Sequence, residues 1–201
     1  GHIGTLTMQQ ALTWSLNTGS TQALRLLGDS ETEITKAGKE RLYDYYYNKF
    51  WLGKYTGIEI AESAGIIVAP NKVDATNARY ANMTFGQGLN VTGIQLITAF
   101  SSLVNRGEYF KPTVVGGEMV NGEYKARAYA PADHTPVSVA TSKTMREMLV
   151  QTRAPSSSAL QADLVFYVAC KTGTAQAFGD VNYLMDVTIA TSLGFCHHNR
   201  A

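Results

Sequence analysis

The sequence predicts an α+β fold in which helices occupy most of the chain and strands lie near its C-terminal end. Residues 164–170, Leu-Val-Phe-Tyr-Val-Ala-Cys, are apolar and rich in β-branched and aromatic side chains, as in a buried strand. Residues 185–191 alternate between apolar and polar side chains, which indicates a second strand. Upstream, capping residues and amphipathic stretches predict several helices. For a chain of 201 residues, we expect a single domain over 1–201.

The first predicted helices lie on either side of a Ser-Leu-Asn tripeptide. Thr7 followed by Gln10 is a capping-box pattern that begins a short helix. A second helix is predicted over residues 21–27 and is closed by Gly28. Residues 42–50 then form an amphipathic helix. We expect its aromatic side chains to pack in the core and in grooves on it, because nothing in their spacing indicates a cofactor.

Two further helices are predicted before the strands. The helix that begins near Thr92 is apolar on most sides, with Ile97 among its side chains. We therefore place this helix in the core of a helical lobe. Residues 138–152 form the next helix, and the strand that leads to Lys171 follows it.

A short hairpin is predicted between these two helices. Asn121-Gly122 is a strong signal for a type I′ turn, in which both central residues have positive φ. We place the flanking strands at 112–115 and 124–127. This hairpin is expected to be peripheral.

Composition and charge exclude several classes of partner. Lys plus Arg total 17 and Asp plus Glu total 16, a net charge of +1, so no basic excess favours nucleic acid. The sequence contains no run of ~18 consecutive apolar residues, which a membrane-spanning helix needs. His197 and His198 are adjacent and would point to opposite faces of a strand, so we expect no shared metal ion and no cofactor. Cys170 and Cys196 are expected to be free thiols.

The segment Lys171-Thr172-Gly173-Thr174 follows the first predicted strand and suits a substrate that carries a carboxylate. Lys171 supplies the charge, the threonine hydroxyls donate hydrogen bonds, and Gly173 lets the ligand approach the backbone. Such a tetrad also occurs by chance in strands. A phosphate-binding loop needs glycine directly before the lysine, and the phosphorylation motif of P-type ATPases needs aspartate there. Cys170 occupies that position and excludes both.

A second motif lies far upstream: Ser15-Leu16-Asn17 is the only Ser-x-Asn in the sequence. Penicillin-binding proteins and β-lactamases carry Ser-x-x-Lys, a Ser-x-Asn type motif and Lys-Thr-Gly, and the two motifs found here follow in the family's order. Residues 52–60, with Thr56-Gly57-Ile58, and residues 85–96, with Gly86-Gln87-Gly88, are also similar to segments of class B penicillin-binding proteins. The chain therefore resembles their transpeptidase domain more than it resembles a β-lactamase or a β-lactam sensor.

This resemblance implies a helical lobe packed on an antiparallel sheet, the penicillin-binding protein transpeptidase fold. We expect the sheet to be incomplete, since the family's last strand and helix would follow Ala201 and its nucleophile segment would precede Gly1. The implied activity is that of a peptidoglycan D,D-transpeptidase. A serine attacks a D-Ala-D-Ala stem peptide, D-Ala leaves, and an amine from a neighbouring stem peptide accepts the acyl group. β-Lactam antibiotics would bind at the same place.

The resemblance also implies a role for each motif residue. Ser15 would relay a proton towards the leaving amine, and Lys171 would hold Ser15 and add positive potential. Asn17 would hydrogen-bond the amide of the substrate. Thr172 and Thr174 would bind the terminal carboxylate, and the backbone N–H of Thr174 would form half of the oxyanion hole. This chemistry predicts that Ser15 and Lys171 lie within hydrogen-bonding distance, ~2.6–3.2 Å.

The nucleophile of the family is not among these residues, because no serine is followed three positions later by lysine. Two functions are therefore open. The chain is either part of a D,D-transpeptidase whose acylated serine lies outside it, or a non-catalytic module that binds peptidoglycan peptide or a divisome or elongasome partner. In the first case we expect the isolated chain to be inactive. The parent protein would act at the extracytoplasmic face of the bacterial membrane, with any membrane anchor outside this chain.

Overall fold

Helices and strands are separated along the chain, as the predicted α+β class requires. The structure, a computed structural model, describes residues 4–152, 166–178 and 183–198. Within these ranges, every helix is too short or too polar to cross a membrane. The helices are α1 (Met8–Thr13), α2 (Asn17–Leu27), α3 (Lys36–Tyr43), which continues as a π-helix (Asp44–Lys49), α4 (Asn77–Met83), α5 (Gly93–Val104) and α6 (Val139–Gln151). The strands are β1 (Gly117–Val120), β2 (Glu123–Ala126), β3 (Phe166–Phe178) and β4 (Tyr183–His198).

Hydroxyl side chains begin all of the α-helices except α2. At each of these N-termini a threonine or serine accepts a hydrogen bond from the backbone N–H three residues later, and α1 has the capping box that the sequence predicts. Each such cap stabilises its helix by about 1 kcal/mol. Helix α2 begins after Leu16, whose side chain makes no capping bond. Ser15, a good capping residue by type, is therefore not used as a cap.

The core of the helical lobe lies between α2, α3, α4 and α5. Tyr80 is fully buried there, and its hydroxyl donates to the carbonyl of Val68 at 2.7 Å. The π-helix presents Tyr46 and Tyr47 to this core, and the hydroxyl of Tyr46 donates to the carbonyl of Met83. Burial of Tyr46 raises its pKa to about 12. The expected core packing of the aromatic side chains in residues 42–50 is confirmed.

Helix α5 differs from the expectation that its apolar side chains lie in the core. Ile97 is 54% exposed, and the buried face contains Gln95, Thr98, Ala99 and Ser102. These polar groups are satisfied: Gln95 donates to the carbonyls of Lys54 and Ala64, and the two hydroxyls bond carbonyls of α5 itself. Gln95 thereby ties α5 to the loop over 53–64. The spacing of apolar residues along α5 gives no sign of this role.

The first hairpin, β1–β2, has the predicted turn but not the predicted first strand. Asn121 and Gly122 both have positive φ, as a type I′ turn requires. Strand β1 is Gly117–Val120, so the placement of the first strand at 112–115 was wrong. The reason is that a two-residue turn pairs the residues directly beside it, here Val120 with Glu123.

The second hairpin, β3–β4, carries the Lys-Thr-Gly segment. We expected Lys171 at the end of a strand over 164–170, but β3 runs on to Phe178 and Lys171 lies within it, opposite Leu193 of β4. Residues 164–165 lie outside the described residues. Ala169 of β3 is fully buried, and Phe100 of α5 packs against the hairpin, with its ring centroid 6.4 Å from that of Phe195. Among the described residues each sheet has two strands, in keeping with the expected incomplete sheet.

Candidate active site

Ser15 lies at the C-terminal end of α1 in a left-handed conformation, with φ of +55°. Its N–H donates to the carbonyl of Leu12, and the N–H of Leu16 donates to that of Ala11. This pair of bonds is the Schellman motif, in which the left-handed position is usually glycine. A serine at this position costs ~1 kcal/mol or more. The strained conformation turns the chain between two helices and points the hydroxyl of Ser15 out of both.

Close packing of α1 and α2 fixes the orientation of this turn. A Cβ atom on Gly19 would lie 2.6 Å from the Cβ of Ala11, so only glycine allows the first turn of α2 to approach α1 this closely. Asn17 is the first residue of α2 and is exposed beside Ser15. The sequence Ser-Leu-Asn therefore places two polar side chains at one rigid helix junction.

Lys171 reaches this junction from β3. Its Nζ donates to the Oγ of Ser15 at 2.6 Å, across a sequence separation of 156 residues, and to the carbonyl of Thr172 at 2.7 Å. The structure thus contains the contact that the sequence predicts between the two motifs. Because Ser15 accepts from the ammonium group, its own O–H is directed elsewhere and can be donated to a ligand.

The environment of Lys171 favours release of a proton. The side chain is half-buried, and this burial lowers the pKa of the ammonium from its ordinary value of 10.5, while the neighbouring Cys170 acts in the opposite direction. Two of the three N–H groups of the ammonium bond Ser15 and Thr172. These are its two partners among the described residues, so the third N–H can be donated to an anionic ligand, such as a carboxylate.

One edge of β3 is not paired with β4, and its backbone N–H and C=O groups point towards the contact between Lys171 and Ser15. The carbonyls of Cys170 and Thr172 are bound by groups outside β4, namely the Thr152 hydroxyl and the Lys171 ammonium. In an antiparallel pair the N–H and C=O of a residue point to one side, and successive residues alternate. Residues 170, 172 and 174 therefore direct their backbone groups to this edge, and the N–H of Thr174 is a donor there.

The remaining predicted site residues lie next to this contact. Thr172 and Thr174 are exposed on β3. Pleating puts both on the opposite face from Lys171, so a ligand can meet all three side chains only at the strand edge. A Cβ atom on Gly173 would lie 2.9 Å from Oγ1 of Thr191 across the hairpin. A side chain at position 173 would therefore force the exposed hydroxyl of Thr191 to turn away, so cross-strand packing favours glycine there.

Cys170 is accommodated by a glycine on the opposite strand. Its partner in β4 is Gly194, where a Cβ atom would lie 3.2 Å from the Cβ of Cys170 and 2.9 Å from the carbonyl oxygen of Ala169. The absence of a side chain at Gly194 gives the thiol its space, so Cys170 does not crowd the strand. Cys170 and Cys196 are both free thiols, as expected.

Two contacts that the sequence analysis missed connect the site to α6. Nε2 of Gln9, in α1, donates to the carbonyl of Met148 at 3.1 Å. The hydroxyl of Thr152, which caps the end of α6, lies 3.0 Å from the carbonyl of Cys170. No local pattern marks these residues, because each bonds a partner that is distant in sequence.

The chemistry that this arrangement supports is proton transfer and anion binding. It combines a serine hydroxyl, a lysine with a lowered pKa and an open backbone N–H, all of which are typical of acyl-transfer sites. In the described part of the chain no group of three or more His, Cys, Asp or Glu side chains could hold a metal ion.

The sequence and the fold were compared with known proteins. The sequence profile of the penicillin binding protein transpeptidase domain matches residues 2–198. Penicillin-binding protein PbpB of Mycobacterium tuberculosis is 31% identical over 173 residues, which are 78% of this chain and 25% of that protein. Stage V sporulation protein D of Bacillus subtilis is 32% identical over 164 residues, 80% of this chain and 25% of that protein. The chain thus spans about a quarter of the length of these curated relatives.

Solved structures have the same fold. Penicillin binding protein 3 of Mycobacterium tuberculosis, complexed with aztreonam, superposes with a TM-score of 0.75 at 27% identity, over 94% of this chain and 41% of that one. The transpeptidase domain of penicillin-binding protein 3 from Burkholderia pseudomallei has a TM-score of 0.74 at 23% identity, over 96% of this chain and 53% of that one. The second likeness concerns the fold alone.

Proposed function

We propose that this chain, which belongs to the penicillin binding protein transpeptidase domain family, forms the substrate-binding part of a serine-type peptidoglycan D,D-transpeptidase. The observation that carries the proposal is the 2.6 Å contact between Nζ of Lys171 and Oγ of Ser15. It joins the Ser-x-Asn and Lys-Thr-Gly motifs, 156 residues apart, at one point. If the two short motifs matched the family only by chance, there would be no reason for them to meet in the fold.

Ser15 and Lys171 form the proton pathway. The Lys171 ammonium donates to Ser15, which leaves the Ser15 proton free to pass to the leaving D-Ala amine. The lowered pKa of Lys171 supports the return of a proton to Ser15. Asn17, exposed beside Ser15, bonds the amide of the stem peptide.

The open edge of β3 holds the reacting end of the peptide. The third N–H of Lys171, with the hydroxyls of Thr172 and Thr174, binds the terminal carboxylate. The backbone N–H of Thr174 points to the position where negative charge develops on the scissile carbonyl oxygen. β-Lactams occupy the same site, a proposal that the aztreonam complex of a relative supports.

The acylated serine of the whole enzyme is placed outside these 201 residues, because none of their serines has a lysine three positions later. The chain by itself is accordingly inactive in acyl transfer. The whole protein would act at the extracytoplasmic face of the bacterial membrane, with divisome or elongasome proteins as partners. Relatives whose names state penicillin binding or peptidoglycan D,D-transpeptidation support the transpeptidase part of the proposal.

The test is non-covalent binding by the 201-residue chain. A diacetylated L-Lys-D-Ala-D-Ala peptide is titrated into isotope-labelled protein, and amide shifts are followed by NMR. We expect saturable shifts at residues 15–17 and 172–174, and no such shifts with the L-Ala-L-Ala stereoisomer. Lys171→Met should abolish binding, since it removes the cation. Lys125→Met, which removes an exposed lysine from β2, is the matched control and should bind like the wild type.

Incubation with penicillin followed by intact mass spectrometry completes the test. No covalent adduct is expected, because Ser15 is assigned to proton transfer. A stoichiometric mass increase on Ser15 would overturn that assignment. Equal shifts with the two stereoisomers, or shifts confined to another surface, would overturn the proposed substrate.

A further inference from the structure

We propose that Thr152 is a positioning residue for Lys171. The hydroxyl of Thr152 holds the carbonyl of Cys170 at the edge of β3 and so fixes the distance between Lys171 and Ser15. This inference deepens the proposed function and rests on it only where ligand binding is the readout. It is carried by three observations: a comparison of two helix ends, the place of Cys170 on β3, and a second bond to the same turn of α6.

Helix α4 provides an internal comparison for the end of α6. Thr84 and Thr152 are both C-caps with nearly the same backbone conformation, and each hydroxyl bonds the carbonyl three residues earlier at 2.7 Å. Among the described residues, only the hydroxyl of Thr152 has a second acceptor in another element, the carbonyl of Cys170 at 3.0 Å, and its single proton is shared between this carbonyl and that of Leu149. This shared contact with β3 therefore distinguishes the end of α6 from the end of α4. Thr152 is buried, whereas Thr84 is half-buried.

The acceptor is the peptide group that joins Cys170 to Lys171. Its carbonyl lies on the open edge of β3, where no strand among the described residues supplies a donor. Two residues later, the carbonyl of Thr172 is bound by Lys171 itself. Holding the carbonyl of residue 170 fixes the backbone from which the Lys171 side chain begins. A shift of β3 at this point would move Nζ away from Ser15.

The same turn of α6 also holds the Ser15 side of the site. Met148 accepts a hydrogen bond from Gln9 of α1, and α1 ends at the turn that contains Ser15. The last turn of α6, residues 148–152, thus bonds α1 on one side and β3 on the other. The contact between Lys171 and Ser15 closes this ring. One helical turn therefore sets the position of both members of the pair.

The test compares Thr152→Val with Thr152→Ser in the 201-residue chain. Valine keeps the shape and removes the hydroxyl, while serine keeps the hydroxyl. Thr84→Val is the matched control, because it removes the same helix-end bond without a contact to β3. The pKa of Lys171 is measured by NMR of its side-chain carbon, with Lys171→Met to assign the signal, and stability by urea unfolding.

In Thr152→Val we expect the pKa of Lys171 to move up towards its ordinary value of 10.5, because the side chain becomes better hydrated. The Kd for the D-Ala-D-Ala peptide should rise roughly 3- to 10-fold, as expected for loss of one hydrogen bond. Thr152→Ser and Thr84→Val should leave both quantities unchanged, although Thr84→Val is expected to lose stability. Gln9→Met, which cuts the other bond to α6, should also move the pKa upwards and serves if Thr152→Val does not fold.

Thr152 has only a structural role if Thr152→Val and Thr84→Val lose the same stability while the pKa of Lys171 stays constant in both, and that result would overturn the inference. An unchanged pKa in Gln9→Met and in a folded Thr152→Val would do the same. The pKa readout uses no ligand. A wild-type chain that binds no peptide would therefore count against the proposed function, while a shifted pKa in Thr152→Val would still support the positioning role.

Discussion

The two sides of the candidate site are positioned in different ways. Ser15 is placed by its neighbours in sequence, through the Schellman motif at the end of α1 and the close approach of Gly19 to Ala11. Lys171 is placed by distant elements, through buried Ala169 and the hydroxyl of Thr152. A local turn can be fixed by a few backbone bonds, whereas a strand edge needs a surface to lie against. Damage to packing should therefore affect the Lys171 side more than the Ser15 side.

The largest effect is expected on the Lys171 side, from Ala169→Leu. Ala169 is fully buried, so added carbons must displace β3 or its neighbours, at a cost of ~1–3 kcal/mol of unfolding free energy. Peptide binding should be lost with it, because Lys171 moves with the strand. Met119→Leu, at a position of β1 that is 66% exposed, should stay within about 0.5 kcal/mol of the wild type. Urea unfolding checks both, and a wild-type stability for Ala169→Leu would contradict the packing assigned to β3.

On the Ser15 side, Ser15→Gly and Ser15→Ala should separate strain from function. Both variants lose the hydroxyl that accepts from Lys171, so peptide binding should weaken because the ammonium is no longer held in place. Glycine adopts the left-handed conformation of residue 15 without strain, so Ser15→Gly should be more stable than Ser15→Ala by roughly 0.5–1 kcal/mol. The measurement is again urea unfolding. An alanine variant that is the more stable of the two would mean that residue 15 is not left-handed.

A smaller effect should depend on pH. In the unfolded chain Lys171 has its ordinary pKa of 10.5. In the folded chain it loses its proton at a lower pH, because burial lowers the pKa. Between these two values the unfolded state binds more protons, so the free energy of unfolding rises with pH. The free energy of unfolding of the wild type minus that of Lys171→Met should therefore increase from neutral pH towards pH 10.5 and then level off. A difference that stays constant or falls over this range would contradict the burial of Lys171.

The same contrast explains what the sequence could predict. The capping box at Thr7 and the turn at Asn121-Gly122 depend on short-range chemistry, and both were predictable. The Ser-x-Asn and Lys-Thr-Gly motifs were recognisable because their residue types and order are those that a known acyl-transfer chemistry needs. The mid-strand position of Lys171 was not predictable from local composition, since the hydroxyl-rich segment after Cys170 lacks the apolar pattern of the strand before it.

The supporting contacts were beyond sequence reasoning for a physical reason. Gln95 lies on a helix that is apolar by composition, yet its amide is buried because a distant loop needs donors for its carbonyls. In the sequence, Thr152 is an ordinary residue at the end of a predicted helix. It has a second acceptor only because β3 passes beside it. Such roles depend on where other elements pass, which periodicity does not encode.

The contact between Ser15 and Lys171 is tested most directly by a double-mutant cycle. Unfolding free energies are measured for the wild type, Ser15→Ala, Lys171→Met and the double variant. Because the two side chains are joined by a hydrogen bond, we expect the effects to be non-additive, with a coupling of ~0.5–3 kcal/mol. The control cycle pairs Ser15→Ala with Lys125→Met on the peripheral hairpin, where the effects should add to within about 0.5 kcal/mol. Additive effects for Ser15 and Lys171 as well would contradict the contact on which the proposed site depends.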